Sequence, residues 1–257
     1  MNIELSTTIQ STVDSIAGRL LSAQAKKLRV ASLSAECRNL NFDLAYRIQD
    51  EALSQRIERG EHIVGIKVQS GSSLTPLTGW LTDAMALRTR DHLPAELLVH
   101  PGVEPVIAFV MGRRLGGPGV TAAAALAAVG LVFAGLEITD SRYSDRRCAP
   151  ADLVADNLSS SYYLTGPVGF DPAGLDLSQE EAGITVAAGD ATVTRFDSVA
   201  RSHPAEALAA AANCLARRGH AIESGWTVLV GTAPVPLPVG FPVTARFSSL
   251  GTVALAC

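Results

Sequence analysis

Val103-Glu104-Pro105-Val106-Ile107-Ala108-Phe109-Val110 and Leu136-Glu137-Ile138-Thr139-Asp140-Ser141-Arg142 are the two runs on which the reading of the chain turns. Each is apolar and β-branched enough to predict a strand in a sheet core, and each carries a glutamate near its start. A carboxylate in such a place is expensive unless it is paired or bound to a cation. Two of them, one per strand, point to a site. Periodicity alone leaves open that both are strand-end residues reaching water.

The segment between the runs carries no charge from Val120 to Leu136. It is rich in alanine, shorter than the about 20 strongly apolar residues a membrane span needs, and lacks Trp or Tyr anchors. It predicts a buried helix starting near Thr121, a turn around Gly135, and then the Glu137 strand. Upstream, His62-Ile63-Val64-Gly65-Ile66-Lys67-Val68 predicts another strand with a lysine inside it. Only Lys26, Lys27 and Lys67 among the 21 basic residues are lysines, and Lys67 has the least solvated context of the three. A lysine beside a sheet core holds a carboxylate or carbonyl as a compact cation. The plain alternative is a strand lysine whose head snorkels to water. The polar run Gln69-Ser70-Gly71-Ser72-Ser73 follows directly, then the turn Thr75-Pro76-Leu77-Thr78-Gly79. Loops at strand ends are where binding groups are placed, although such hydroxyls also satisfy turn backbone.

Farther out, residues 6–60 space their apolar positions as helices do, with Ile16, Leu20 and Leu21, then Leu44, Ile48 and Leu53. Asn41 or Asp43 is a candidate cap and Gly60 a stop. We expect a helical N-terminal section, residues 1–60, packed on a main body of residues 61–257. Within that body, residues 151–166 pass from helix to a hydroxyl-rich turn to a strand. Residues 184–186 and 191–196 read as a hairpin through Gly189-Asp190. Pro204 opens a helix that runs through Arg218, with Glu206 in its first turn, Arg217-Arg218 in its last and Gly219 after it. Short strands at 226–230 and 243–247 and the terminal Leu250-Gly251-Thr252-Val253 complete an α+β class, a β-rich body with helices packed on it.

The net charge of −4, with basic residues gathered no further than isolated pairs such as Lys26-Lys27 and Arg146-Arg147, gives no electrostatic footprint for nucleic acid. Cys37, Cys148, Cys214 and Cys257 show no CxxC spacing and no signal peptide precedes them, so reduced thiols in a cytoplasmic protein are expected, with no membrane attachment. His92 and His100 lack metal spacing. Gly116-Gly117-Pro118-Gly119 is a turn without the lysine and hydroxyl of a phosphate loop.

Gly65-Ile66-Lys67, Glu104-Pro105-Val106-Ile107-Ala108-Phe109, Glu137-Ile138-Thr139-Asp140-Ser141-Arg142, Val154-Ala155-Asp156-Asn157-Leu158-Ser159-Ser160, Ser202-His203-Pro204 and Leu250-Gly251-Thr252-Val253 together resemble the fumarylacetoacetate hydrolase superfamily. Within it they resemble the branch of 2-keto-4-pentenoate hydratases and 4-oxalocrotonate decarboxylases. The resemblance covers the chain from about residue 45 to its end. It implies a mixed β-roll with a helical N-terminal section and a lyase acting on a small-molecule 2-oxo acid. It also implies Mg²⁺ or Mn²⁺ held by glutamates, which suits a hard cation because alternate strand residues share a face. The implied ligands here are Glu104 and Glu137. Lys67 and Asp156 match catalytic positions, and Ser72, Leu77 and Ser160 line the substrate. A homo-oligomer, or assembly with a related hydratase subunit, is implied as well.

The chain also departs from that pattern. The family carries Glu-x-Glu on the first strand, and here the second glutamate is Val106. The loop after the lysine, Gly-Leu-Thr-Ser in relatives, reads Gln69-Ser70-Gly71-Ser72, and a threonine-glycine near the C-terminal strand is Val230-Gly231. Hydratases of the branch carry Pro-Asp-aromatic-Gly where this chain has Pro76-Leu77-Thr78-Gly79. With Asp140-Ser141-Arg142-Tyr143, this favours decarboxylation through a metal-stabilised dienolate. The alternatives are hydration, a biosynthetic C–C bond reaction without metal, and a catalytically silent scaffolding subunit.

Overall fold

The helical N-terminal section forms where its spacing predicts, as α1 (Asn2–Lys26), α2 (Leu33–Glu36) and α3 (Phe42–Glu58). Asn41 caps α3 by accepting from Leu44 N at 2.9 Å, and Gly60, at φ +96°, takes the left-handed conformation that ends it. The structure is a computed structural model that describes residues 2–69, 75–88, 91–145, 148–188, 191–198, 203–231 and 242–256. After α3 come β1 (Ile63–Gln69), β2 (Leu77–Thr82), β3 (Pro101–Met111), α4 (Ala122–Ala128), β4 (Val129–Asp140), α5 (Pro150–Ala155), β5 (Ser160–Thr165), β6 (Glu181–Ala188), β7 (Ala191–Ser198), α6 (Pro204–Arg217), β8 (Thr227–Gly231), β9 (Val243–Phe247) and β10 (Thr252–Leu255). The expected hairpin is β6–β7, its Gly189-Asp190 turn lying outside the described residues. The predicted helix at Pro204 is α6, which stops at Arg217 with Gly219 at φ +81° just beyond. Among the described residues no helix is long and apolar enough to cross a membrane.

One expectation is corrected. The helix after Thr121 lasts only seven residues, and Gly135 is not a turn. The strand starts at Val129 because β4 pairs with β3 along nearly its whole length, from Pro101↔Asp140 to Met111↔Val129. Six of the seven alanines between Val120 and Leu136 stay in α4, and residues 129–135, Val-Gly-Leu-Val-Phe-Ala-Gly, join the ladder, their β-branched and aromatic members suiting a strand. Gly135 sits mid-strand opposite Val106, where a Cβ would lie 2.8 Å from Val106 Cγ2. It is required for close packing.

Six strands, in the order β2-β1-β8-β3-β4-β5, form a mixed sheet in which only β1 and β8 run parallel. The sheet curls until the segment after β2 meets its far edge, where Ala86 bridges Tyr163 and Leu87 N donates to Tyr163 O at 2.8 Å. Strand alternation sorts the side chains. Leu81, Met85, Val106, Ala108, Tyr163 and Leu229 meet on one face. Ile66, Val68, Ile107, Phe109, Val228 and Val230 point the other way, into the main core with α6 and the antiparallel sheet β10-β9-β6-β7. Each such fully buried side chain contributes about 1.5–3 kcal/mol. A separate apolar cluster joins Val13, Ala17 and Leu20 of α1 and Ala45 and Ile48 of α3 to Tyr143, Val154 and Leu158. The N-terminal helices are thereby packed against the turn that follows α5.

Candidate active site

Register brings the two glutamates together. In the β3–β4 ladder Glu104 stands directly opposite Glu137. Among the described strands β8 pairs with β3 only from Ile107 to Val110, so Pro105, which lacks an N–H, lies beyond the last β8 pairing. Lys67 on β1 is opposite Leu229 of β8 and reaches across that strand to the carboxylates. Its Nζ is 2.8 Å from Glu137 Oε2 and 3.8 Å from Glu104 Oε1. Gly231, the last residue of β8, makes this possible, since a Cβ there would overlap Glu104 Oε1 and lie 3.0 Å from Val106 Cγ1.

The three charges are removed from water: Lys67 and Glu104 are 1% exposed and Glu137 0%. The glutamates are therefore not strand-end residues reaching water, and Lys67 does not snorkel. Ser160 Oγ donates to Glu137 Oε1 at 2.9 Å. Neither oxygen of Glu104 has a hydrogen-bond partner among the described residues. Burial pushes the Glu104 carboxyl up to about 7, with Lys67 pulling it down and the like charge of Glu137 pushing it up. Burial alone would lower Lys67, but Glu104 and then Glu137 more than offset it and hold the ammonium above the ordinary lysine range. The Lys67 ammonium thus lies beside both carboxyls.

Ser160 is delivered by an unusual turn. Asn157, Leu158 and Ser159 all have left-handed backbones, with φ 52°, 53° and 57°. Such a conformation costs non-glycine residues about 1–2 kcal/mol each and persists only where surroundings over-determine it. Asn157 supplies part of that constraint, its Oδ1 accepting from Trp80 N at 2.7 Å and its Nδ2 donating to Trp80 O at 2.8 Å. Leu158 is buried against the N-terminal helices. Asp156 supplies the rest: Arg142 donates to it through Nε and, at 3.3 Å, through its backbone N, while Ser159 Oγ donates at 3.2 Å. Arg142 Nη2 also donates to the Asp156 carbonyl. Burial raises the Asp156 carboxyl against the pull of Arg142.

The residues singled out from the sequence are thus divided. Lys67, Glu104, Glu137 and Ser160 converge. The Asp156 carboxylate is taken up by Arg142. Leu77 opens β2 opposite Gln69 and packs against the cluster of the N-terminal helices. Ser72 lies outside the described residues. The sequence reading gave no role to Arg142, Asn157 or Gly231. Only Asn157, a residue type that tolerates the left-handed region, carried a local signal.

The chain has relatives among known proteins. No protein-family model matches it. The 4-oxalocrotonate decarboxylase of Pseudomonas sp. (strain CF600) is 32% identical over 228 residues, covering 84% of this chain and 85% of that protein. The 2-hydroxyhexa-2,4-dienoate hydratase of Comamonas testosteroni is 32% identical over 249 residues, covering 92% and 94%. The chain belongs to the family of 4-oxalocrotonate decarboxylases and dienoate hydratases. Members of this decarboxylase–hydratase family are named for lyase reactions, and the chain is an enzyme of that type. The solved 4-oxalocrotonate decarboxylase from Pseudomonas putida G7, complexed with magnesium and adipate, matches with a TM-score of 0.87 at 27% identity over 96% of this chain and 97% of that one. A fumarylacetoacetate hydrolase family protein from Yersinia pestis CO92 shares the fold at a TM-score of 0.52 and 13% identity.

A divalent cation suits the donors that this family member presents. Among the described residues no three His, Cys, Asp or Glu are arranged to hold a metal ion by themselves. A small hard cation, however, is commonly bound through one or two carboxylates, with substrate oxygens and water filling the shell. Glu104 and Glu137 face one another, and the two buried oxygens of Glu104 lack hydrogen-bond partners. Val106 adds only methyl groups to that face.

Proposed function

We propose that the chain is a lyase that decarboxylates a short 2-oxo dicarboxylate of the 4-oxalocrotonate type. The observation that carries this reading is the buried Lys67 ammonium set between Glu104 and Glu137, 2.8 Å from the latter. In such a reaction the bond to the distal carboxylate breaks, CO₂ leaves, and the electron pair moves along the conjugated chain to the 2-oxo oxygen, giving a dienolate. Lys67 supplies a cation toward that developing negative charge in a water-poor site, where electrostatic stabilisation is stronger than in water. Glu104 and Glu137 would hold a divalent cation, Mg²⁺ or Mn²⁺, which when bound supplies Lewis-acid polarisation of the 2-oxo acid. Ser160 fixes the rotamer of Glu137 through its hydrogen bond. Asp156 acts through Arg142 and the left-handed turn, as a positioning residue. The buried apolar cluster of Leu81, Met85, Val106, Ala108, Tyr163 and Leu229 lies on the same sheet face as Lys67 and the glutamates and disfavours water there, which supports decarboxylation over hydration.

The test is incubation of the purified chain, with Mg²⁺ or Mn²⁺, with 4-oxalocrotonate, following CO₂ release and the dienol product by absorbance. CO₂ release that Lys67→Met abolishes is expected. Conversion without CO₂, with water added instead, would replace the reading by a hydratase. We extend to this chain the family's expectation of a homo-oligomer, and infer a cytoplasmic setting from the free thiols of Cys37, Cys148 and Cys214. A second reading, the same scaffold turned to a different C–C bond reaction or to a silent subunit, is favoured by Val106, which is fully buried where a third carboxylate would stand.

A further inference from the structure

We propose that Lys67 is a built-in counter-ion that must leave Glu137 before a divalent cation can be ligated, so that the cation and the 2-oxo acid enter together and neither binds well alone. The inference rests on the preceding reading of Glu104 and Glu137 as the cation's carboxylates. It deepens that reading by assigning Lys67 a second task.

The argument starts from the oxygens of Glu137. Oε1 already accepts from Ser160 Oγ at 2.9 Å, and Ser160 is held by a turn that the surroundings over-determine. Oε2 is the oxygen left for a cation, and Lys67 Nζ sits on it at 2.8 Å. A divalent ion at ligand distance from Oε2 and the ammonium at its present place would be two like charges pressed together where water is excluded, and the repulsion is strongest in such surroundings. One of them has to go. Lys67 cannot simply turn to solvent, because its side chain is 1% exposed and crosses under β8. It cannot fall back on Glu104, 3.8 Å away, if Glu104 is engaged by the same ion.

A freed buried ammonium without an anion is costly, so its release needs an incoming negative charge. The carboxylate of a 2-oxo acid is such a charge and arrives with the oxygens that complete the cation's shell. A simple divalent salt brings none. Lys67 would thus pair with Glu137 when no cation is bound and with the substrate's carboxylate when one is. The two ligands become linked through one side chain, and such a linkage is reciprocal.

The experiment is calorimetric titration of the full chain, freed of metal on a chelating resin, with Mn²⁺ in the presence and absence of 2-oxoadipate, for the wild type and for Lys67→Met. Lys67→Gln serves as a second variant if the first does not fold. The wild type is expected to bind Mn²⁺ about 5- to 150-fold more tightly with the oxo acid present, the usual range of coupling between two sites. In the variants Mn²⁺ alone should bind at least about fivefold more tightly than to the wild type, and the gain from the oxo acid should shrink. Chelation by the oxo acid in itself would tighten binding to all forms and would leave the affinity for Mn²⁺ alone unchanged on substitution. That outcome, or equal Mn²⁺ affinity of the wild type with and without oxo acid, would overturn the proposal. CO₂ release from 4-oxalocrotonate without coupling would remove this inference and keep the lyase. Coupling without CO₂ release would keep the role of Lys67 and remove the reaction. Absence of Mn²⁺ uptake by every form would refute both the cation's place and the task assigned to Lys67.

Discussion

Asp156→Ala separates positioning from catalysis. The substitution removes the carboxylate that faces Arg142, whose side chain is 4% exposed while that of Asp156 is 0% exposed. It leaves a guanidinium with no anion of its own, and takes away the acceptor of the Arg142 Nε, Arg142 backbone N and Ser159 Oγ hydrogen bonds. Breaking a buried pair by deleting one partner costs about 3–5 kcal/mol, because the remaining charge stays desolvated. For a domain of this size, each kcal/mol lowers Tm by about 2–4 °C, so the expected fall is about 6–20 °C. Asp156→Asn keeps an acceptor of the same shape and should fall less. Thermal unfolding by far-UV circular dichroism measures the shift, and decarboxylation assayed well below both melting points measures what the folded fraction retains. If Asp156 positions the turn, Asp156→Asn retains appreciable kcat/KM, and losses track Tm. A fall of under about 3 °C for Asp156→Ala would refute the ion-pair argument. Complete loss of activity in a thermally unchanged Asp156→Asn would return Asp156 to the reacting atoms.

Two further substitutions test the carboxylate face. Gly231→Ala places a Cβ against Glu104 Oε1, and the group that yields is the end of that side chain and not backbone. We expect a melting temperature close to wild type and a drop of about 100-fold in kcat/KM, the scale of an ångström's misplacement at a reacting centre; a fully active Gly231→Ala would show that the position of Glu104 is unimportant. Val106→Glu adds a carboxylate beside Leu81, Met85 and Tyr163. Its buried charge should lower Tm without metal, Mn²⁺ should restore it, and Mn²⁺ affinity should rise. Increased turnover of 4-oxalocrotonate would support the decarboxylase, whereas lost turnover despite tighter Mn²⁺ binding would favour a scaffold turned to other chemistry.

Much of this protein is legible residue by residue. The helices of the N-terminal section, the Asn41 cap, the Gly60 stop and α6 beginning at Pro204 follow from local periodicity and end chemistry, which act within a few residues of chain. The Glu104 and Glu137 strands are legible for the same reason, and the order of short motifs along the chain carries the family. Local signals stop at the length of α4 and at Gly135, because pairing with β3 is what turns residues 129–135 into strand. They also stop at the interior of the site. Whether Glu104, Glu137 and Lys67 reach water or one another depends on β8, more than 80 residues after the later glutamate in sequence, lying between β1 and β3 and ending in a glycine. The sequence by itself determined that carboxylates and a lysine sit in core strands. Only the tertiary structure decided that they share one buried place, and that Asp156 spends its charge on Arg142, because burial and pairing are set by strands distant along the chain, and a residue's own neighbours in sequence carry no record of them.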